Sequence, residues 1–262
     1  MNHQSIFNPT LLAGKKALII GVANERSLAW AIAKQLHAAG AELAFNFLGD
    51  ALERRVRPLA ESVNAALIEP CDVASDEQID QFFSKVSAKW GKIDFLIHSV
   101  AFANREDLEG RFVNTSREGF KLAMDISAYS LVACAKRAEP LMAPGSSILT
   151  LTYHGSQVVV PNYNVMGVAK AALEASMRYL AYDLGEKKIR VNAISAGPVK
   201  TLAAAGIRNF RGMLHAVGEK TPLKENITAD EVGAMAAFLC TDAAAHVTGS
   251  TFYLDSGAHI MG

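Results

Sequence analysis

A doubly wound α/β fold, with one parallel sheet of seven strands and helices on both faces, is what this sequence predicts. Three observations lead there. Short runs rich in apolar and β-branched residues alternate with longer amphipathic stretches. The first such pair is joined by a glycine turn, and no linker, charge run or internal repeat divides the 262 residues.

Taken in order, Lys16-Ala-Leu-Ile-Ile-Gly-Val22 reads as the first strand and Ser27 to Gly40 as the helix that follows it. Six more strands are expected at Glu42 to Phe47, Ala66 to Pro70, Ile93 to His98, Ser147 to Thr152, Arg190 to Ile194 and Thr251 to Leu254. Intervening helices begin at capping boxes, Ser75-x-x-Gln78, Thr115-x-x-Glu118 and Thr228-x-x-Glu231, in which hydroxyl and carboxyl or amide groups satisfy orphan backbone donors reciprocally. Right-handed crossovers then gather any ligand site beyond the carboxyl ends of the strands. The whole chain, 1–262, reads as a single domain. Within it Gly197 to Gly218 starts Gly-Pro and carries Leu202, Ile207, Phe210, Met213 and Leu214 among small residues, the composition of an apolar lid.

Composition narrows the function. Half of the residues are hydrophobic and 20% charged, so the chain folds rather than staying disordered. Lys plus Arg equals Asp plus Glu at 26 each, a balance that offers no field to nucleic acid or an anionic membrane. Met1 to Thr10 carries no signal-like run and the apolar stretches are too short to span a bilayer, which points to a cytoplasmic protein. Cys71, Cys134 and Cys240 are odd in number and far apart, so buried thiols are expected rather than disulfides or zinc ligands. The histidines show no ligand spacing, and no metal is expected.

The turn after the first strand, Gly21-Val-Ala23-Asn-Glu-Arg-Ser27-Leu28, keeps one glycine of the dinucleotide fingerprint, with small residues at 23 and 27 and a helix N-terminus behind them. It fits a pyrophosphate, and equally an ordinary strand-to-helix turn. Asn46 to Asp50, at the second strand's exit, holds no Arg or Lys; Arg54 and Arg55 come a turn later. This favours NADH and leaves NADPH open. Asp72 suits either an adenine amino group or a plain turn.

The richest stretch runs from Thr150 to Glu174. A strand ends in Tyr153, and seven residues, almost two helical turns, separate Tyr163 from Lys170. The two share a face if the helix already includes Tyr163. A lysine there can hold ribose hydroxyls and favour the anionic form of a tyrosine.

Tyr153, Tyr163 and Lys170, followed by Arg190-Val-Asn-Ala-Ile-Ser-Ala-Gly-Pro-Val-Lys-Thr-Leu-Ala-Ala, closely resemble the enoyl-acyl-carrier-protein reductases, divergent short-chain dehydrogenases with a Rossmann-like fold. The likeness takes in Gly21-Val-Ala, Cys71-Asp-Val and His98-Ser-Val-Ala-Phe, and runs from Gly14 to about Leu254. By this resemblance Gly21, Ser27, Leu28, Asp72, Val73, Val100, Lys170, Val199, Lys200, Thr201, Leu202 and Ala203 contact the dinucleotide. Tyr153 and Tyr163 flank a thioester, Ala103 lies near the substrate, the substrate arrives on acyl carrier protein, and the protein is a homotetramer. At the lid, Arg208 and Arg211 are expected to meet the acidic carrier. Leu48, Val100 and Asp255-Ser-Gly257 depart from the family pattern.

Physical reasoning reaches the same chemistry. Carbonyl reductases of this fold use Tyr-x3-Lys, whereas here the spacing is Tyr-x6-Lys and Gly167 stands at the usual tyrosine-to-lysine distance. Three residues move the phenol ~4.5 Å along a helix. In conjugate reduction, hydride adds at the β-carbon and charge develops on the more distant thioester oxygen, where the displaced tyrosine belongs. A short-chain carbonyl reductase or alcohol dehydrogenase, and a dinucleotide-binding protein without catalysis, are the competing readings.

Overall fold

The computed structural model describes residues 8–201, 214 and 218–261. The seven strands are Lys16–Ile20 (β1), Glu42–Phe47 (β2), Leu67–Pro70 (β3), Ile93–His98 (β4), Met142–Thr152 (β5), Arg190–Ala196 (β6) and Thr251–Leu254 (β7). They pair in the order β3-β2-β1-β4-β5-β6-β7, and every pairing is parallel.

Four strands are bounded elsewhere than the residue pattern suggests, β3 by one residue, since it starts at Leu67 and not Ala66. β1 stops at Ile20, before the expected Val22, because Gly21 turns to φ +104. β5 begins at Met142 rather than Ser147. Its extension carries Pro144 and a left-handed Gly145, and the β4–β5 register shifts between Ile93 and Phe95, so this is an irregular lead-in to a central strand that an apolar count misses. β6 continues past Ile194 to Ala196, which pairs with Leu254.

Helices Leu28–Ala38 (α1), Gly49–Ser62 (α2), Asp76–Trp90 (α3), Arg105–Leu108 (α4), Arg117–Met124 (α5), Ser130–Ala138 (α6), Asn164–Gly185 (α7) and Ala229–Cys240 (α8) connect or cover the strands, and a π turn at Asp125–Tyr129 joins α5 to α6. Of the three capping boxes, Thr228 with Glu231 forms completely. Ser75 caps α3, but Gln78 accepts from Asp72 N instead of returning to Ser75. The cap of α5 is Ser116 rather than Thr115, whose hydroxyl donates to Phe112 O.

Alternation along the strands divides the core. Ala17, Ile19, Leu149 and Leu151 face one cluster with Ile32 and Leu36 of α1 and Ala236 and Leu239 of α8. Leu18, Ile20, Leu96 and Ile148 face another with Phe82 of α3, Leu131 of α6 and Leu173 and Met177 of α7. All three cysteines are buried and unpaired, and burial pushes the thiols of Cys71 and Cys240 up to about 12. Among the described residues no helix is long and apolar enough to cross a membrane, and no three His, Cys, Asp or Glu side chains gather as a metal site.

Candidate active site

The sheet's order reverses between β1 and β4, and the turns leaving these two strands meet beyond their carboxyl ends. A Cβ on Gly21 would stand 2.1 Å from Ser99 O and 3.2 Å from Val100 Cγ2, so at this crossing only glycine lets the two turns close together. Gly21 N donates to Asn46 Oδ1 at 3.0 Å, and Asn46 Nδ2 donates to Cys71 O at 3.0 Å. One buried amide thereby ties the ends of β1, β2 and β3. Ser27 holds the N-cap position of α1 without capping it; its Oγ accepts instead from Ala23 N and Asn24 N, both at 3.0 Å. The hydroxyl shapes the turn and leaves the positive end of α1, where Leu28 begins, without a side-chain cap.

Asp72 leaves β3 with its Oδ1 accepting from Ala74 N at 2.9 Å, a turn role, and Val73 beside it packs against the core cluster of α3. Leu48, the first residue past β2, is 52% exposed. Val199, Lys200 and Thr201 follow β6, with Thr201 N donating to Val199 O. Leu202 and Ala203, most of the expected lid, and Arg208 and Arg211 lie outside the described residues. Ala103 is partly buried in the loop after β4, whose backbone is gripped by Ser127: its Oγ accepts from Phe102 N and donates to Phe102 O.

Tyr163 sits at the N-cap of α7, one residue outside the helix, with Lys170 two turns further along. The residues on either side, Asn162 and Asn164, adopt φ 62 and 35, backbone that asparagine tolerates better than most side chains. Tyr153 meets Tyr163 edge-on, ring centroids 5.1 Å apart. The loop between them passes close beneath. A Cβ on Gly155 would fall 2.7 Å from the Tyr163 ring, and one on Gly167 2.7 Å from Gly155 O, so these two glycines let α7 and the tyrosine pair approach. Gly167 thus packs where the commoner spacing would put a lysine.

The electrostatics correct one expectation. Burial, reinforced by Tyr153, pushes the Tyr163 phenol above its ordinary range, so it is held protonated rather than favoured as an anion. Burial likewise raises Tyr153, with Asp255 adding to it. Lys170, 5% exposed, is pulled down to about 8 by burial, against the opposing pull of Glu174, and its Nζ donates to Leu151 O at 2.7 Å. A neutral phenol at the start of α7 and, two turns on, a lysine brought down to about 8 offer a hydrogen-bond donor and a tunable cation.

The family profile described as enoyl-(acyl carrier protein) reductase matches residues 21–259. The chain belongs to that family. This reductase is 54% identical to enoyl-acyl-carrier-protein reductase (NADH) 1 of Rhizobium meliloti (strain 1021) over 252 residues, 96% of this chain and 93% of that one. Among solved structures, the Bacillus cereus enzyme with NADP+ and indole naphthyridinone superposes with a TM-score of 0.94 at 52% identity, covering 96% of this chain and 99% of that one. The Anaplasma phagocytophilum enzyme in complex with NAD gives 0.92 at 49% identity, covering 97% and 95%.

Several residues of this reductase's site carry roles that the sequence reading left unassigned. His98, wholly buried at the end of β4, contacts Thr150 Oγ1 at 3.2 Å and Ser130 Oγ at 2.8 Å, and burial with the nearby Lys170 lowers it to about 3. Glu174 Oε1 accepts from Thr152 Oγ1 at 2.6 Å. Each has a sequence signal: a polar residue closing an apolar strand, or a carboxylate on the buried side of an apolar helix.

Proposed function

We infer that this chain reduces the C2–C3 double bond of trans-2-enoyl thioesters carried on acyl carrier protein, with NADH, in fatty acid elongation. The single observation that carries the site assignment is the Tyr153–Tyr163 pair opening off β5 and α7, with Lys170 buried two turns along the same helix. The cradle fits a dinucleotide: Gly21 lets the turns after β1 and β4 close together at the carboxyl ends of the strands, and α1 turns an N-terminus without a side-chain cap toward the same crevice. Gly21, Ser27, Leu28, Asp72, Val73, Val100, Lys170, Val199, Lys200, Thr201, Leu202 and Ala203 hold it. NADH supplies the hydride when bound.

Tyr163 donates its phenol proton in a hydrogen bond to the thioester oxygen as enolate charge develops there; the raised phenol is suited to donation and not to loss of the proton. Tyr153 walls the other side of the thioester, and Ala103 lines the acyl approach. Lys170 holds ribose hydroxyls with its ammonium group. The exit of β2 carries no basic side chain from Asn46 to Asp50, which supports NADH over NADPH.

A homotetramer in the cytoplasm completes the reading. Val168, Tyr179 and Tyr182 leave large apolar side chains exposed along α7, a face suited to a second copy, and light scattering of the purified protein tests it. The assay that tests the activity mixes the protein with NADH or NADPH and either a trans-2-enoyl or a 3-ketoacyl thioester. Nicotinamide absorbance falls with the enoyl substrate and NADH; oxidation with the ketoacyl substrate alone rejects the assignment.

A further inference from the structure

Lys170 presents a problem that the roles above do not solve. Its ammonium group is buried, and a buried cation without a compensating anion gives up its proton. Its hydrogen bond to Leu151 O stabilises the charge only in part. At a midpoint of about 8 the lysine is charged at neutral pH by roughly ten to one, and a further drop of about one pH unit would leave half of it neutral.

The groups facing it come from three elements. From β4, His98 is neutral, spent on Thr150 and Ser130. From β5 comes Leu151 O, and from α7 comes Glu174. Glu174 lies four residues from Lys170, one turn along the same helix, and is 5% exposed. Thr152 Oγ1 anchors it at 2.6 Å, one residue beyond the carbonyl that Lys170 holds. Carboxylate and ammonium are thus pinned to consecutive residues of one strand, Leu151 and Thr152, from consecutive turns of one helix.

We propose that Glu174 is a positioning residue for the reduction: its buried carboxylate, fixed by Thr152, keeps Lys170 in the ammonium form that grips the nicotinamide ribose. The opposing pull of Glu174 on the lysine's titration agrees with this geometry. The proposal rests on the reading of Lys170 as a cofactor-binding group, and the test separates the two.

Glu174→Gln keeps an oxygen able to accept from Thr152 and removes only the charge; Thr152→Val removes the donor and keeps the charge. The titration of Lys170 is followed by the 13Cε resonance of labelled lysine in protein without cofactor, assigned by its loss in Lys170→Met, alongside NADH affinity and kcat/KM against pH. In Glu174→Gln the Lys170 midpoint falls by about one pH unit or more, and the alkaline limbs of NADH affinity and kcat/KM fall with it. In Thr152→Val, which keeps the charge but frees it from its anchor, the midpoint falls by less than in Glu174→Gln; a fall as large as the glutamine variant's overturns the proposal, since the charge would then not be what governs Lys170. If Glu174→Gln does not fold, Glu174→Leu, which carries neither charge nor polar atoms, gives the same downward shift. An unmoved Lys170 midpoint in a folded Glu174 variant overturns the proposal. A midpoint that moves while NADH affinity does not, or an alkaline limb that persists in Lys170→Met, instead overturns the reading of Lys170.

Discussion

The two halves of the crevice are built by different means. On the β1–β3 side the cradle is made of backbone: Gly21 passes within contact of Ser99, one Asn46 amide joins three strand ends, and Ser27 spends its hydroxyl on the turn. On the β4–β6 side the same sheet buries ionisable side chains, His98, Lys170 and Glu174, each held by a strand-end hydroxyl or carbonyl. A backbone cradle binds phosphate-like charge by shape and helix dipole, and its geometry fails as a whole when a Cβ intrudes. A buried side-chain network instead tunes charge, and its members are removable one at a time with separable kinetic effects.

The largest expected effect lies on the side-chain half. Tyr163→Phe lowers kcat about 100- to 1000-fold, or ~3–4 kcal/mol, while NADH affinity by fluorescence stays nearly intact. Because the two rings share one wall, Tyr163→Phe is more damaging in a Tyr153→Phe background than the separate effects predict. Additive losses, or lost NADH affinity in Tyr163→Phe alone, would undo the shared role.

On the backbone half, Gly21→Ala forces a side chain into φ +104 against Ser99 O. It costs about 2–3 kcal/mol of stability in urea unfolding and weakens NADH. An alanine variant with unchanged stability and affinity would remove the cradle from the account. Lys170→Ala bridges the halves. It weakens NADH about 10- to 100-fold, the loss of a charge-assisted hydrogen bond of ~1.5–3 kcal/mol, and lowers turnover as well. In the parent protein the ammonium is present below about 8 and lost above it, so NADH affinity declines as pH rises through that value, and the Lys170→Ala variant lacks the decline. A flat profile in the parent contradicts the ribose contact.

The smallest effect falls outside both halves. Ser256 holds φ 57 between Asp255 and Gly257, in the left-handed region that favours glycine. Ser256→Gly relieves ~1–2 kcal/mol of left-handed strain and gives back ~0.4–1 in unfolded-chain entropy. A slight rise in Tm with kcat unchanged is expected; a fall in Tm would show that the serine side chain carries a contact worth more than the strain.

The strands and the glycine turn after β1 were legible in the chain, because period-two and period-3.6 patterns and a required positive φ are local in sequence, whereas the helical spacing assumed from Tyr163 to Lys170 does not hold at its start, since Tyr163 stands one residue outside α7. Tertiary structure decided what spacing cannot reach. It made Asn46 the clamp of three strands, exchanged Thr115 for Ser116 as a cap, and extended β5 through an irregular lead-in. It also held Tyr163 protonated and set Glu174 against Thr152. Those outcomes depend on desolvation and on partners far apart in the chain. A residue's type announces the groups it can offer, but burial and the neighbours brought by other elements determine which of them it uses and in which charge state.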